Sequence, residues 1–223
     1  MPDRHSSKHV FLCISLWVIA SFGCASAVPG PVSGIQPPMP ATAPAAFRPI
    51  DVAGQCDQIV FAIDTGYDTR ATFNEVRTEV LQCIGHLKPS QTFNIVIISA
   101  GRPVELSPMG LIPSDTKSLK KAAEFLSEHR EPSQINPLPG LSRAYDFLDK
   151  GDAKRSKAIV LVTDRGGFAD DQQVRNLFYR RDPDKVVHIY PFLVLWLGDG
   201  ASKFLREVAR NSDGRFGLII SGD

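Results

Sequence analysis

Apolar residues follow two alternating patterns along this chain from residue 58 onward. Two continuous apolar runs, at residues 59–63 and 158–162, indicate strands that are buried on both faces, as in a parallel sheet. Residues 93–98, 186–196 and 216–220 predict further strands. Between these segments, apolar residues recur every three or four positions, which is typical of helices that pack by one face. Strands that alternate with helices predict an α/β fold with a mainly parallel sheet.

Five segments have helical spacing of their apolar residues. Pro89 ends the first helix, and either Ser114 or Asp115 is placed to cap the second. The apolar positions of the five predicted helices lie within residues 73–87, 119–126, 141–148, 174–178 and 204–209.

Two strand predictions carry a proline-dependent feature. Pro103 and the short length of residues 104–106 favour an antiparallel edge strand, followed by a loop at residues 108–113. Pro191 lies inside the apolar run 186–196. Because proline cannot donate a hydrogen bond to a neighbouring strand, we expect a bulge or break at that position.

Residues 1–27 have the three parts of an export signal. Arg4 and Lys8 precede an apolar run at residues 10–22, and the small residues at positions 25–27 fit a cleavage pattern. The run is shorter than the ~20 residues that cross a bilayer. We therefore predict a cleaved signal peptide and a secreted, periplasmic or cell-envelope location. Two alternatives stay open, namely an uncleaved anchor and a lipid anchor on Cys24.

The rest of the chain divides into a linker and a domain. Residues 28–52 are rich in Pro, Ala and Gly and lack apolar periodicity, which predicts an extended linker. Residues 53–223 then form one α/β domain. The formal net charge is +1 and the charges are well mixed, so a nucleic-acid partner is not expected.

Two cysteines lie outside the predicted signal. Cys56 precedes the first strand, and Cys83 lies near the end of the helix that returns antiparallel to it, so both are expected at one edge of the sheet. An even pair in an exported chain predicts a disulfide bond. A loop of this size would contribute ~3 kcal/mol. The alternative is two separate buried thiols.

Aspartates follow two of the predicted strands directly. Asp64 follows the run 59–63, and Asp164 follows the run 158–162. In open α/β sheets, ligands bind in the crevice at the carboxyl ends of the strands. The sequence therefore predicts a functional site at this edge, here called the rim, together with its loops at residues 65–70, 131–137 and 165–171.

Six segments, in this order and at this spacing, resemble a von Willebrand factor type A (VWA) domain. They are IVFAIDT at 59–65, TFNIVIIS at 92–99, AEFL at 123–126, NPLPGL at 136–141, AIVLVTD at 158–164 and FLREVA at 204–209. The resemblance implies a Rossmann-like fold with a doubly wound, mainly parallel six-stranded sheet. Residues 104–106 would be its one short antiparallel edge strand.

The resemblance also implies a metal site at the rim. Members of this family often bind proteins through a divalent metal held by Asp-x-Ser-x-Ser, a later Thr and a later Asp. Asp64 and Asp164 match the two aspartates. Gly66, Asp68 and Ile135 stand where the hydroxyl ligands are usual. The motif is therefore degenerate.

Three carboxylates remain as candidate ligands, those of Asp64, Asp68 and Asp164. Mg²⁺ and Ca²⁺ prefer about six hard oxygen ligands, with waters completing the set. Without a cation, clustered carboxylates repel one another. Arg165 is an alternative source of positive charge, because it can form a salt bridge in place of the metal. A further alternative is that the aspartates only cap turns.

No motif establishes an enzyme. The sequence around Asp64 matches the apolar-Asp-Thr-Gly signature of aspartic peptidases, but a helical pattern follows it, so this is a remote alternative. His86, His129 and His188 are scattered and are expected to be packing or surface residues. No phosphate-binding loop, nucleophile elbow or zinc motif is present in the sequence.

The sequence thus predicts a non-enzymatic protein-interaction module that binds a protein partner at the rim. Thr65, Tyr67, Asn136 and Arg165 are the predicted contact residues. A divalent-metal-dependent adhesion or assembly factor and a structural envelope component are the alternative functions.

Overall fold

A computed structural model of the chain describes residues 47–64, 69–99, 101–129, 136–163, 170–195 and 203–220. The strands are β1 Gln58–Asp64, β2 Thr92–Ile98, β3 Val104–Glu105, β4 Ile112–Pro113, β5 Lys157–Thr163, β6 Val187–Leu195 and β7 Gly217–Ile220. The helices are α1 Thr69–Gly85, α2 Thr116–Glu128, α3 Pro137–Asp149, α4 Asp171–Arg181 and α5 Lys203–Asn211. A 3₁₀ helix, Pro49–Gly54, precedes β1.

The strands form one sheet in the order β3-β2-β1-β5-β6-β7, and β4 also pairs with β2. All neighbours from β2 to β7 run parallel, whereas β3 and β4 are antiparallel to β2. The predicted doubly wound, mainly parallel sheet with its antiparallel edge strand is confirmed. The two-residue strand β4 is a seventh strand and lies at the end of a segment that we expected to be a loop.

Alternating residues of β1 divide between two hydrophobic cores. Ile59, Phe61 and Ile63 face a core that includes residues of α1 and α2. Val60 and Ala62 face a second core, which includes residues of α3, α4 and α5. Both faces of the sheet are therefore covered by helices, which explains why β1 is apolar along most of its length.

The folded part begins earlier than the predicted boundary at residue 53. The Phe47 ring stacks on Phe192 at 5.5 Å and lies 5.9 Å from the Tyr190 ring. The Arg215 guanidinium lies over the Phe47 ring, 4.4 Å from its centroid. The side chain of Phe47 is thus buried against β6. Residues 47–52, which the composition places in the linker, belong to the domain.

Pro191 causes no bulge or break in β6, contrary to the expectation. The pairing of β5 with β6 runs without interruption from Lys157–Val187 to Thr163–Leu193, with Pro191 opposite Leu161. On the other side, the pairing with β7 starts only at Phe192. Pro191 therefore lies one residue before the pairing with β7 begins. At that position its nitrogen has no β7 partner, so the missing N–H costs no hydrogen bond between strands.

Cys56 and Cys83 are two separate, buried thiols in the structure, so the predicted disulfide is not formed in it. Cys56 has Tyr190 as a neighbour, and Cys83 has the backbone of Ala53 as a neighbour. The two thiols therefore lie in different surroundings within the same core.

Among the described residues, no helix combines the length and the apolar character required to cross a lipid bilayer. Residues 1–27 lie outside the described part of the chain, and the export signal stays a prediction.

Candidate functional site

The carboxyl ends of three neighbouring strands define the rim. β1 ends at Asp64, β2 at Ile98 and β5 at Thr163. Asp64 pairs with Ile98, and Ile63 pairs with Val162 on the other side. Because the parallel register continues by one residue, Asp64 and Thr163 lie side by side.

Asp64 is a fully buried carboxylate at this edge. It has no solvent exposure, and the Thr163 Oγ1 hydroxyl donates a hydrogen bond to Asp64 Oδ2 at 3.0 Å. Thr163 is itself fully buried. Hydrogen bonds to charged groups contribute about 1.5–3 kcal/mol, and a buried carboxylate needs them because burial removes its water. This contact fixes one oxygen of Asp64 at the end of the central strand.

Thr163 is a site residue that our sequence reasoning missed. Its position directly before Asp164 and at the end of an apolar run was the available signal. Two parallel strands that both end at the rim bring their last residues together, so the register of β1 and β5 would have paired Thr163 with Asp64.

Asn136 lies at the rim as the N-cap of α3. Its side-chain oxygen accepts a hydrogen bond from the Leu138 backbone nitrogen at 3.2 Å, and Pro137 opens the helix. The first turn of α3 packs closely on β2, since a Cβ added to Gly140 would lie 2.8 Å from the side chain of Ile98. Asn136 is exposed beside the end of β2, where a partner can reach it.

The other predicted site residues lie outside the described part of the chain. They are Thr65, Tyr67, Asp68, Asp164 and Arg165. The structure therefore positions Asp64 and Asn136 and leaves the other predicted contacts and ligands untested.

The described residues do not form a metal site by themselves. No group of three or more His, Cys, Asp or Glu side chains within them is arranged to hold an ion. At the rim they supply the Asp64 carboxylate, whose Oδ2 already accepts from Thr163. This is far short of the roughly six oxygen ligands that Mg²⁺ or Ca²⁺ prefers. Asp64 can contribute to a metal site only together with groups from the loops that follow β1 and β5.

The three histidines of the domain make backbone contacts. The Nδ1 atoms of His86 and His129 lie 2.7 Å and 2.8 Å from the carbonyl oxygens of Gln82 and Phe125. His188 Nδ1 lies 3.2 Å from the Ser212 carbonyl oxygen. These contacts fit the packing or surface role expected for them, with His86 on the surface.

Comparisons with known proteins identify the fold and no closer relationship. No known protein-family profile matches the sequence, and no curated protein sequence matches it. Among solved structures, a von Willebrand factor type A protein from Catenulispora acidiphila aligns with a TM-score of 0.61 at 18% identity, covering 73% of this chain. The aligned part is 38% of that protein.

Two other solved structures agree. The pilus adhesin SpaC from Lactobacillus rhamnosus GG aligns with a TM-score of 0.57 at 10% identity, over 74% of this chain and 28% of the adhesin. The SpRpn10 VWA domain aligns with a TM-score of 0.53 at 14% identity, over 74% of this chain and 88% of that domain. This chain therefore has the VWA fold.

Proposed function

We propose that this chain is a protein-interaction module that binds its partner through the rim. The observation that carries the proposal is the anchored edge of the sheet. Asp64 is buried and bonded to Thr163, while Asn136 is exposed at the start of the helix that packs on the neighbouring strand. A rigid, polar sheet edge with loops above it is the place where open α/β sheets bind ligands.

The structural comparisons support the same class of function. One matched protein is described as a pilus adhesin and another as a VWA domain. With identities of 10–14%, these matches support the architecture and leave the partner open. Thr65, Tyr67 and Arg165 remain the proposed further contacts, because their loops follow β1 and β5.

A binding assay with rim variants tests this proposal. The full chain is immobilised, proteins of its native envelope fraction are captured and identified, and each candidate is then measured alone by biolayer interferometry. Asn136→Lys should weaken a true rim partner at least tenfold, because it places a charged side chain at the contact. Asn136→Asp keeps the helix cap and should bind more tightly than Asn136→Lys.

The matched control is Lys120→Glu, which changes an exposed side chain on α2. It should leave the affinity unchanged. Two outcomes would contradict binding at the rim. In the first, Lys120→Glu weakens the partner as much as Asn136→Lys does. In the second, neither substitution changes the affinity.

Metal-dependent adhesion is the second candidate function, favoured by the buried Asp64 carboxylate at the metal-site position of the fold. In that case Asp68 and Asp164 complete a Mg²⁺ or Ca²⁺ site. Isothermal titration calorimetry with Mg²⁺, Mn²⁺ and Ca²⁺ should then show binding that Asp64→Asn removes, and a chelator should release the partner. Absence of heat at millimolar metal, with partner binding unaffected by chelator, rules this candidate out.

We also propose that the chain is exported, on the basis of the pattern in residues 1–27. Mass spectrometry of the amino terminus of the native protein tests this. A mature chain that begins at Val28 supports cleavage, a lipid-modified Cys24 supports the lipid anchor, and an intact Met1 in the cytoplasm contradicts export.

A further inference from the structure

Both cysteines of the domain lie in one core with a short segment at its start. This segment, called the N-terminal cover here, comprises Phe47, Arg48 and the 3₁₀ helix Pro49–Gly54. Cys56 follows it by two residues and is 3% exposed, and Cys83 of α1 is fully buried. The buried residues of the cover belong to the same hydrophobic core as the two thiols.

The cover meets the two thiols in different ways. The backbone of Ala53, near the end of the cover, is a neighbour of Cys83. At the other end, the Phe47 ring lies 5.9 Å from the ring of Tyr190, and Tyr190 is a neighbour of Cys56. The cover therefore contacts Cys83 directly and reaches Cys56 through one aromatic ring.

Two side chains hold the outer end of the cover on the domain. The Phe47 ring packs on β6, and Arg48 forms an ion pair with Glu79 of α1. Arg48 Nη2 also donates to Gln82 Oε1 at 3.2 Å. The Arg48 side chain is 49% exposed, so water and salt weaken this ion pair. Local opening of the outer end therefore costs less than unfolding of the domain.

Gln91 holds the inner end of the cover. Its buried side-chain nitrogen Nε2 donates to the carbonyl oxygens of Ala53 at 2.7 Å and of Cys56 at 2.5 Å. Ala53 therefore stays beside Cys83 when only the outer end moves. We expect the Cys56 thiol to become accessible first, because that requires only Phe47 and the ring of Tyr190 to move.

We propose that the N-terminal cover is a redox-sensitive switch. When Phe47 and Arg48 leave the domain, first Cys56 and then Cys83 become open to exchange with a small disulfide such as glutathione disulfide. The resulting mixed disulfide keeps the cover from closing. The cover is where the preceding chain enters the domain, and the switch does not depend on the function of the rim.

The exchange is a thiolate displacement. The Cys56 thiol loses its proton to solvent, and its sulfur attacks one sulfur of glutathione disulfide. A new S–S bond joins Cys56 to one glutathione, the S–S bond of the reagent breaks, and the other glutathione leaves as a thiolate. Cys56 is thereby oxidised and the departing glutathione is reduced. A reducing thiol reverses the reaction by the same displacement.

The closed cover prevents this reaction, and the product prevents closure. In the closed form the reagent has no access, and burial raises the pKa of Cys56 to about 11 and that of Cys83 to about 12, so few thiolates form at neutral pH. After exchange, a glutathione on Cys56 does not fit a close-packed core. The modified chain therefore stays open until it is reduced.

Alkylation of the reduced full chain with iodoacetamide, followed by mass spectrometry of its peptides, gives a rate for each thiol. We expect Cys56 to react faster than Cys83. Phe47→Ala should raise the rate of Cys56 at least tenfold. Arg48→Ala should raise it less, because the ion pair is exposed. Arg48→Ala leaves the core intact and so tests the same release if Phe47→Ala does not fold.

The matched control is Leu177→Ala, which deletes apolar volume in the second core, away from the cover. It destabilises the domain without loosening the cover, so both thiols should react at the rates of the unchanged chain. Incubation with glutathione disulfide should then modify Cys56 at least tenfold faster in Phe47→Ala than in Leu177→Ala. In the modified full chain, the backbone amides of residues 47–54 should exchange hydrogen faster, and a reducing thiol should restore the slow exchange.

Three results would overturn the proposal. The first is an unchanged rate of Cys56 in both Phe47→Ala and Arg48→Ala. The second is an equal rise in Leu177→Ala, which would show that the thiols react only from the unfolded chain. The third is slow exchange of residues 47–54 after Cys56 has been modified, which would show that the cover closes over the mixed disulfide.

Discussion

At the residue scale, the contact between Asp64 and Thr163 links two neighbouring strands and also positions a carboxylate of the candidate site. The same hydroxyl that satisfies a buried carboxylate also fixes its direction at the end of β1. The identity of Asp64 as a rim residue could be predicted from the sequence, because it directly follows an apolar strand. Its burial could not, because burial depends on how distant parts of the chain pack around the end of β1.

Replacing Thr163 by Val should destabilise the domain by about 1–3 kcal/mol. The valine has nearly the same shape, but it removes the hydroxyl that donates to the buried Asp64 carboxylate. Urea unfolding followed by circular dichroism measures the change. Thr163→Ser keeps the donor and should lose less stability. If Val and Ser variants unfold alike, packing and not the hydrogen bond determines the effect.

The two buried thiols predict a loss of stability at alkaline pH. Burial raises the pKa of Cys83 from its ordinary value of 9.0 to about 12 and that of Cys56 to about 11. Above pH 9 the unfolded chain has lost these protons and the folded chain keeps them, so unfolding is favoured as the pH rises. The slope should be on the order of 1 kcal/mol per pH unit for each thiol.

Urea unfolding of the reduced protein at pH 8, 9 and 10 measures this slope. Cys83→Ala should lower the slope by about half. A flat profile in fully reduced protein would show that the thiols are not buried. A profile that becomes flat only after oxidation would instead support the disulfide predicted from the sequence, because a bonded pair has no proton to lose.

At the scale of elements, the spacing of apolar residues predicted the positions of the helices, but the predicted segments were shorter than the observed helices. The apolar positions at 174–178 predicted α4, which runs from Asp171 to Arg181. Its start is set by Asp170, whose Oδ1 accepts from the Gln173 nitrogen at 2.9 Å. Asp115 caps α2 in the same way, which decides between the two caps considered from the sequence. Polar capping residues therefore carry information that hydrophobic periodicity lacks.

The segment around Phe47 is the element that composition concealed. Its proline and alanine neighbours resemble a linker, yet Phe47 stacks on β6, and Arg48 forms an ion pair with Glu79 of α1. One aromatic residue with a matching surface outweighs the average character of the segment. The pattern shows no periodicity, because the contact involves a single side chain.

Phe47→Ala should lower the free energy of unfolding by about 3 kcal/mol, within the range for deleting a buried aromatic ring. Phe47→Leu retains most of the apolar volume and should lose much less. Chemical denaturation measures both. Equal, small losses for the two variants would mean that the segment is not docked in solution.

At the scale of the whole molecule, the fold was predictable and the functional surfaces were only partly so. The architecture could be predicted from the alternation of strands and helices and from the six ordered segments. Burial of strands and helices requires apolar residues at regular intervals, and this periodicity is visible in the sequence. The surface cleft of about 400 Å³ that opens between α4 and α5 shows no such periodicity in the sequence. It brings together residues from three helices, a strand and a loop, which only the tertiary structure places side by side.

Truncation distinguishes the observed domain boundary from the predicted one. The unit Thr42–Asp223 should unfold at the same denaturant midpoint as the full chain, because it retains the segment from Phe47 to β1. A chain that begins at residue 53 lacks the Phe47 contact and should unfold at a clearly lower midpoint. Equal midpoints for all three chains would contradict the boundary at residue 47.

The docking of Phe47 also bears on how the chain acquires its structure. The ring packs on β6, and the Phe47 carbonyl lies so close to Gly217 that any side chain there would collide with it. Residues 47 and 217 are 170 positions apart, so the segment around Phe47 meets this partner only after β7 has been synthesised. Contacts between such distant residues form slowly, because a long loop must close first. A nascent chain that lacks β7 therefore has an incomplete core around Phe47, because the surface on which this ring and its backbone pack is not yet closed.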